Sequence, residues 1–430
     1  MYSVREGRGE ESALRFAEKV VSFDFAGIPM VGSLDTGYAI GLTQEGAAVC
    51  ARLFEEDVPE EDVAAVDAAL LEHLVRGGFF SDEKPADAVV SAYLHVTQRC
   101  NLNCVGCYSY DDQRNCLPDA PLEAIERALD ELAAAGLATL IISGGEPFLR
   151  DDLPDIVAYA KRTCGIKSVT VLSNGTCLAD EALAALAPNV DCVSISFDGS
   201  SASAPAYIRE EQRFDELVAA VKAVQAAGIQ AHIIPTVHKR NIDDLADYVR
   251  LSKDLGATLN FSLLTCAPDD ELAALLPDEE ALRKLGASIL TLDGGKPLAL
   301  MDAPVGLNLT VKRNCGAGYR GVSIAADGTV YPCHMLHRPE LAMGNVFAGT
   351  LAEALESEVS ARCRALDAAN FEGCATCRYE RICGGGCRAR SLFASGSLES
   401  PDSYCAMTLE FYDRLGAAMK AAIENKRGGA

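Results

Sequence analysis

The sequence predicts an α/β protein whose core is a parallel sheet, open or partly closed into a barrel. Three observations carry this expectation. Between residues 92 and 264 six short β-like runs alternate with longer helical ones, and repeated βα units of this kind give parallel strands with crossover helices. Residues 1–82 follow a different pattern, short strands and then helices. From Lys312 onward eight cysteines lie among glycine-rich loops, which points to metal rather than a large apolar core as the organiser. A chain of 430 residues has room for two or three such domains.

In the amino-terminal unit, apolar residues around Phe23, Phe25, Ile28 and Val31 are broken by Gly27, Gly32 and Gly37, as expected of strands joined by turns. Helical periodicity follows over 43–54 and 61–75, ended by Gly77 and Gly78. The polar stretch 81–87 reads as a linker, placed at 83–91 between the units. The core strands are expected at 93–97, 139–143, 168–173, 190–197, 230–237 and 258–263, with helices near 121–135, 152–162, 180–187, 214–227 and 241–255. In such folds chemistry gathers at the carboxyl ends of the strands.

Composition removes several function classes. A net charge of −24 opposes a nucleic-acid partner, which needs a basic face. The first twenty residues lack the apolar stretch of a signal peptide, and no later run reaches a membrane span. The cytoplasm is therefore the expected location, with no membrane partner. In a reducing compartment the 17 cysteines are expected to bind metal rather than pair as disulfides.

The motif Cys100-Asn-Leu-Asn-Cys104-Val-Gly-Cys107 follows the first core strand and so lies on a loop at its carboxyl end. Three thiolates from one loop can hold three irons of a cubane and leave the fourth open to a small ligand. A zinc knuckle is the alternative, but closed structural zinc takes four ligands, and the nearest further thiol, Cys116, is nine residues on.

This C-x3-C-x2-C motif resembles the hallmark of radical S-adenosylmethionine (SAM) enzymes, whose open iron chelates the methionine part of the cofactor and cleaves it to a 5′-deoxyadenosyl radical. The resemblance extends along most of residues 92–264. Ser143-Gly144-Gly145-Glu146-Pro147 resembles the family's GGEP motif, which holds the methionine amine; glycines admit close backbone approach and Glu146 can answer an ammonium. Ser173-Asn174 and Ser196-Phe197-Asp198 resemble the segments that line the ribose and the methionine carboxylate, and Arg209 stands where peptide-modifying members carry an arginine for that carboxylate. Thr236-Val237 resembles the backbone edge that reads adenine. One position departs from the family: an aromatic often precedes the third cysteine, and here it is Gly106, with Tyr108 on the other side as the aromatic that remains for the cofactor.

Seven of the later cysteines run Cys315, Cys333, Cys374-x2-Cys377-x5-Cys383-x3-Cys387 and Cys405. By spacing alone zinc ribbons are open to them as well. The pattern resembles the SPASM extension of radical SAM enzymes, which carries two auxiliary 4Fe-4S clusters. The resemblance implies three 4Fe-4S clusters and S-adenosyl-L-methionine as cofactors, with Cys374, Cys377, Cys383 and Cys405 closing one auxiliary cluster. Cys315, Cys333 and Cys387 would hold the other, leaving an open iron or a ligand from outside the motif, for which Cys363 and Cys266 are spare. Cys50, Cys116, Cys164, Cys177 and Cys192 show no ligand spacing, and most read as small buried hydrophobes.

Residues 1–82 resemble the winged-helix peptide-recognition unit of ribosomal-peptide maturases, which adds a leader peptide as an extra strand. The expected architecture is thus a winged-helix-like domain over 1–82, a partial (β/α)6 barrel over 92–310 and an iron–sulfur domain over 311–430. The implied activity is oxidative cross-linking of a precursor peptide, a cysteine thioether first and a carbon–carbon link next, with a flavodoxin or ferredoxin as electron donor. A formylglycine-forming sulfatase maturase, a tetrapyrrole-modifying enzyme and a non-catalytic electron carrier or zinc-stabilised scaffold are the competing classes.

Overall fold

The computed structural model describes residues 13–82, 88–109, 114–209, 212–268, 270–294 and 296–428. At the amino terminus β1 (Val20–Phe25), β2 (Ile28–Ser33) and β3 (Ala39–Gly41) form an antiparallel sheet in that order. Three helices follow: α1 (Gln44–Glu55), α2 (Glu60–Val66) and α3 (Ala68–Arg76). The single helix expected over 61–75 is two, because Asp67 leaves the helical region at φ −163° and caps the next helix by accepting from the amides of Ala69 and Leu70. Aspartate competes for backbone donors in this way, and periodicity alone does not register it. The unit encloses its own apolar cluster around Val31, Leu53, Val63, Leu74 and Phe79. Phe25 turns the other way, packing on Tyr379 and Tyr412 at ring separations of 5.5 and 5.7 Å.

The core strands are β4 (Ser91–His95), β5 (Thr139–Ser143), β6 (Ser168–Ser173), β7 (Cys192–Ser196), β8 (Gln230–Ile234) and β9 (Thr258–Leu259). All neighbouring pairs among them are parallel. The crossover helices are α4 (Leu122–Ala134), α5 (Leu153–Ala158), α6 (Asp180–Leu186), α7 (Phe214–Ala226) and α8 (Leu245–Leu255). On α4, for example, Ile125, Ala128, Leu129 and Leu132 are buried at helical spacing. The strands expected over 230–237 and 258–263 are each broken: Thr236–Val237 and Ser262–Leu263 pair with each other in a separate two-stranded ladder. Pro235, which has no amide hydrogen, lies at the first break. Of the expected linker, 83–87 lie outside the described residues, while Val89 is fully buried and Ser91 already begins β4.

The tail corrects one expectation. It is not organised by metal-ligand loops alone: β10 (Gly321–Ile324) pairs in parallel with β4, and β11 (Thr329–Tyr331) and β12 (Gly344–Asn345) follow antiparallel. Among the described residues the central sheet therefore has nine strands in the order β9-β8-β7-β6-β5-β4-β10-β11-β12. Val322, Ile324, Val330, Met407 and Phe411 are buried in the main core. The tail's strands are too short to give a periodic signal, and its long terminal helix Cys405–Gly428 packs on α9 (Glu279–Ser288). Among the described residues no helix is long and apolar enough to cross a membrane.

Candidate active site

The loop after β4 is fixed from several sides. Asp119 accepts from the Thr97 hydroxyl at 2.5 Å and from Arg99 Nε at 3.0 Å. The Asn115 side chain brackets Cys100, accepting from its amide at 2.8 Å and donating to its carbonyl at 3.1 Å. The loop after β5 is pressed onto it, with the amides of Gly145 and Glu146 donating to the carbonyls of Thr97 and Arg99, each at 2.8 Å. A Cβ on Gly144 would meet Thr97 O at 2.3 Å, and one on Gly145 would meet Arg99 O at 2.1 Å. Only glycine admits that approach.

The two loops open onto a cavity of about 220 Å³. Its wall includes Cys100, Cys104, Cys107 and Tyr108; then Gly144 and Gly145; then Ser173 and Asn174; then Ser196 and Asp198; then Arg209 and Thr236. These belong to successive strand ends, so one concave site collects most of the residues singled out in the sequence. Glu146, Pro147 and Val237 are not on that wall. Glu146 is 0 % exposed, and its carboxylate accepts from Ser173 Oγ at 2.9 Å, the Asn174 amide at 2.7 Å and the Phe148 amide at 3.1 Å. Burial pushes its carboxyl up while those donors favour the charge. These bonds tie the glycine loop to the end of β6.

Two arginines, Arg114 and Arg209, line the cavity. In Arg209 the amide donates to Asp198 at 3.0 Å, the guanidinium stands 3.9 Å from the same carboxylate, and Nε and Nη1 are buried without a hydrogen-bond partner among the described residues. Unsatisfied buried guanidinium nitrogens suit a bound carboxylate. Asn174 Nδ2 donates to Cys100 Sγ at 3.9 Å and Arg114 Nη2 to Cys107 Sγ at 3.4 Å. Sequence reading missed Arg114, because nothing in the spacing marks an arginine seven residues after a cysteine as its partner. As a free thiol Cys104 is raised by burial to about 11, so assembling a cluster here must release protons.

Gly106 has φ +64°, and a Cβ there would lie 1.9 Å from Leu272 Cδ1. Leu272 packs in an apolar cluster with Val105, Ile208, Leu264 and Cys266. A leucine from a distant segment thus fills the space of the missing side chain. Gly106→Ala is expected to distort the cysteine loop and accelerate bleaching of its cluster in air, and adding Leu272→Ala should restore part of the loss. Equal bleaching in the single and double variants would contradict this packing.

The later cysteines fall into two groups. One cavity of about 300 Å³ is lined by Cys315, Cys333, Cys383 and Cys387 and a second of about 30 Å³ by Cys374, Cys377, Cys383 and Cys405, so Cys383 lies on both walls. This grouping fits two clusters, and neither Cys363 nor Cys266 lies on either wall. Burial raises the free thiol of Cys383 to about 12 and that of Cys387 to about 11. Of the cysteines without ligand spacing, Cys50 is buried, but Cys116 is exposed, its thiol donating to Arg114 O, and Cys164, Cys177 and Cys192 are half-buried. The ~300 Å³ cavity shares Tyr93, Asp302, His334 and Met335 with the cavity at the strand ends. Beneath it Asp402 accepts from the Cys387 amide at 2.7 Å and pairs with Arg390 at 2.7 Å, the two side chains 3 % and 1 % exposed.

The chain belongs to the radical SAM superfamily, iron–sulfur enzymes that act through S-adenosylmethionine. Residues 94–252 match the model of that superfamily, and residues 315–378 match an iron–sulfur cluster-binding domain, SPASM. The mycofactocin maturase MftC of Mycolicibacterium smegmatis is 31 % identical over 340 residues, covering 75 % of this chain and 84 % of the relative. The AdoMet-dependent heme synthase of Methanosarcina barkeri is 28 % identical over 336 residues, covering 72 % and 94 %. Streptococcus suis SuiB, solved with its precursor peptide SuiA, has a TM-score of 0.59 at 14 % identity and covers 91 % of this chain and 99 % of its own. The cofactors are S-adenosylmethionine and 4Fe-4S clusters, one of the radical SAM type and auxiliary ones in the SPASM domain.

Proposed function

We propose that this enzyme is a maturase of a ribosomally made precursor peptide and that it installs an oxidative cross-link, a cysteine thioether first among the options. The observation that carries the proposal is the shared wall between the cofactor cavity and the Cys315/Cys333/Cys387 cavity. On this reading hydrogen abstraction would take place beside a cluster site able to take up an electron or a substrate thiolate. When bound, the clusters and S-adenosylmethionine supply the 5′-deoxyadenosyl radical and the electron sink.

The chain's residues orient these reagents. Cys100, Cys104 and Cys107 would hold the first cluster, with Arg114 donating to Cys107 Sγ and Asn174 to Cys100 Sγ. Arg209 takes the methionine carboxylate, and Gly144 and Gly145 let the backbone approach the methionine part. Ser173, Ser196 and Asp198 line the ribose side, Tyr108 offers its ring, and Thr236 lies toward adenine. Cys374, Cys377, Cys383 and Cys405 close one auxiliary cluster. The three-stranded sheet of the amino-terminal unit ends on the short strand β3, an edge suited to pairing with a leader peptide. A flavodoxin or ferredoxin is the proposed electron donor.

Support for a peptide comes from the relative named as a mycofactocin maturase and from the fold shared with SuiB over nearly the whole chain. The heme synthase relative keeps a tetrapyrrole as the competing substrate. Anaerobic incubation of the reconstituted enzyme with S-adenosylmethionine, reductant and candidate precursor peptides is expected to yield 5′-deoxyadenosine and a peptide two hydrogens lighter, detected by mass spectrometry. Turnover of an iron porphyrin with no change in any peptide would overturn the proposal.

A further inference from the structure

Among the described residues, two carboxylates line the cofactor cavity, Asp198 and Asp302. Asp198 is engaged by Arg209, through its amide at 3.0 Å and its guanidinium at 3.9 Å. Asp302 is not engaged in that way. His334 Nε2 stands 3.9 Å from its carboxylate, longer than a hydrogen bond, and the aspartate side chain is 26 % exposed. It lies on both walls, that of the cofactor cavity and that of the Cys315/Cys333/Cys387 cavity.

The backbone at Asp302 is left-handed, φ +58°, a conformation that non-glycine residues adopt at some cost and that clusters at functional sites when the surroundings enforce it. Here they do. Arg390 Nη2 donates to the Asp302 carbonyl at 2.6 Å from 88 residues away, and the same guanidinium is locked to the buried Asp402. The Met301 amide donates to Phe261 O at 2.7 Å on one side, and the Tyr412 hydroxyl donates to Pro304 O on the other. The backbone is thus clamped at three points while the carboxylate is left reachable from the cavity. A purely structural aspartate would be expected to spend its side chain on a partner.

The geometry points to Asp302 as the proton acceptor of the cross-linking half of the reaction, a role that rests on the peptide reading above. In that reaction a substrate C–H hydrogen atom passes to the 5′-deoxyadenosyl radical, giving 5′-deoxyadenosine and a carbon radical. Bond formation from that carbon to a thiol sulfur breaks the S–H bond. The proton would go to Asp302, and the remaining electron would go to the auxiliary cluster that Cys315, Cys333 and Cys387 would hold, reducing it by one electron. Hydrogen abstraction itself needs no base, so losing Asp302 separates the two halves.

The test compares wild type with Asp302→Asn and Asp302→Glu in fully reconstituted enzyme, using a peptide deuterated at the carbon that becomes cross-linked. Asparagine keeps the shape and tolerates a left-handed backbone. The expected result for Asp302→Asn is unchanged iron content and continued transfer of deuterium into 5′-deoxyadenosine. Cross-linked product per 5′-deoxyadenosine should fall about a hundredfold, the usual scale of a lost general base, with peptide recovered unlinked, while Asp302→Glu should recover part of the yield. Product within a few-fold of wild type would overturn the assignment. So would parallel loss of deuterium transfer and product, or loss of iron, since either marks a structural role. If wild type cross-links no peptide while remaining active on a porphyrin, the peptide reading falls and takes this assignment with it.

Discussion

Alanine in place of Cys104 is expected to abolish 5′-deoxyadenosine formation while leaving the auxiliary clusters in place. With two of its three thiolates the first cubane cannot be held by this loop, and radical generation has no other source in the fold. Iron should fall from about twelve atoms per chain, for three cubanes, to about eight. Thermal unfolding should change little, because the loop is fixed by contacts that do not involve Cys104: Asp119 with Thr97 and Arg99, and Asn115 with Cys100. Retained cofactor cleavage, or loss of all the iron, would contradict this assignment.

The second large effect is one of stability. Asp402→Ala is expected to destabilise the protein by about 3–5 kcal/mol, the usual result of leaving one member of a buried ion pair uncompensated. Arg390 would lose the bonds from Nε at 2.8 Å and Nη2 at 2.7 Å, and the amides of Cys387 and Tyr404 would lose acceptors at 2.7 and 2.9 Å. Because Arg390 also holds the carbonyl of Asp302, the variant should loosen the wall between the two cavities as well as the anchorage of Cys387. Denaturant unfolding, together with iron content, checks both consequences. A change below about 1 kcal/mol would mean that the pair is not the anchor described.

How much of this was legible beforehand differs between parts. The parallel core was, because each strand and helix has a period of its own, and the expected and observed bounds of β5 and β6 coincide. The break at Asp67 and the splitting around Pro235 were not, since both depend on how single residues spend or lack a backbone bond. The cysteine loop and the glycine loop announced themselves by spacing within a few residues. Arg114, Leu272 and Asp302 did not: each reaches the site from a segment whose neighbourhood is set by the folded chain. The same limit applies to Glu146. Its motif was plain in the sequence, but only the structure shows that its oxygens accept from Ser173, Asn174 and Phe148.

The pairing of β10 with β4 bears on how such an enzyme can be taken apart. In covalent order the iron–sulfur extension follows the barrel and looks detachable, yet its first strand completes the barrel's own sheet. Removing the chain after residue 310 would bare the backbone of β4 along one edge, an invitation to pair with another molecule. A graft of this extension onto a different barrel would have to carry a strand that fits in register, Gly321 opposite Ser91 through Ile324 opposite Leu94. Exchange between relatives is therefore constrained by strand alignment before any question of cluster chemistry arises.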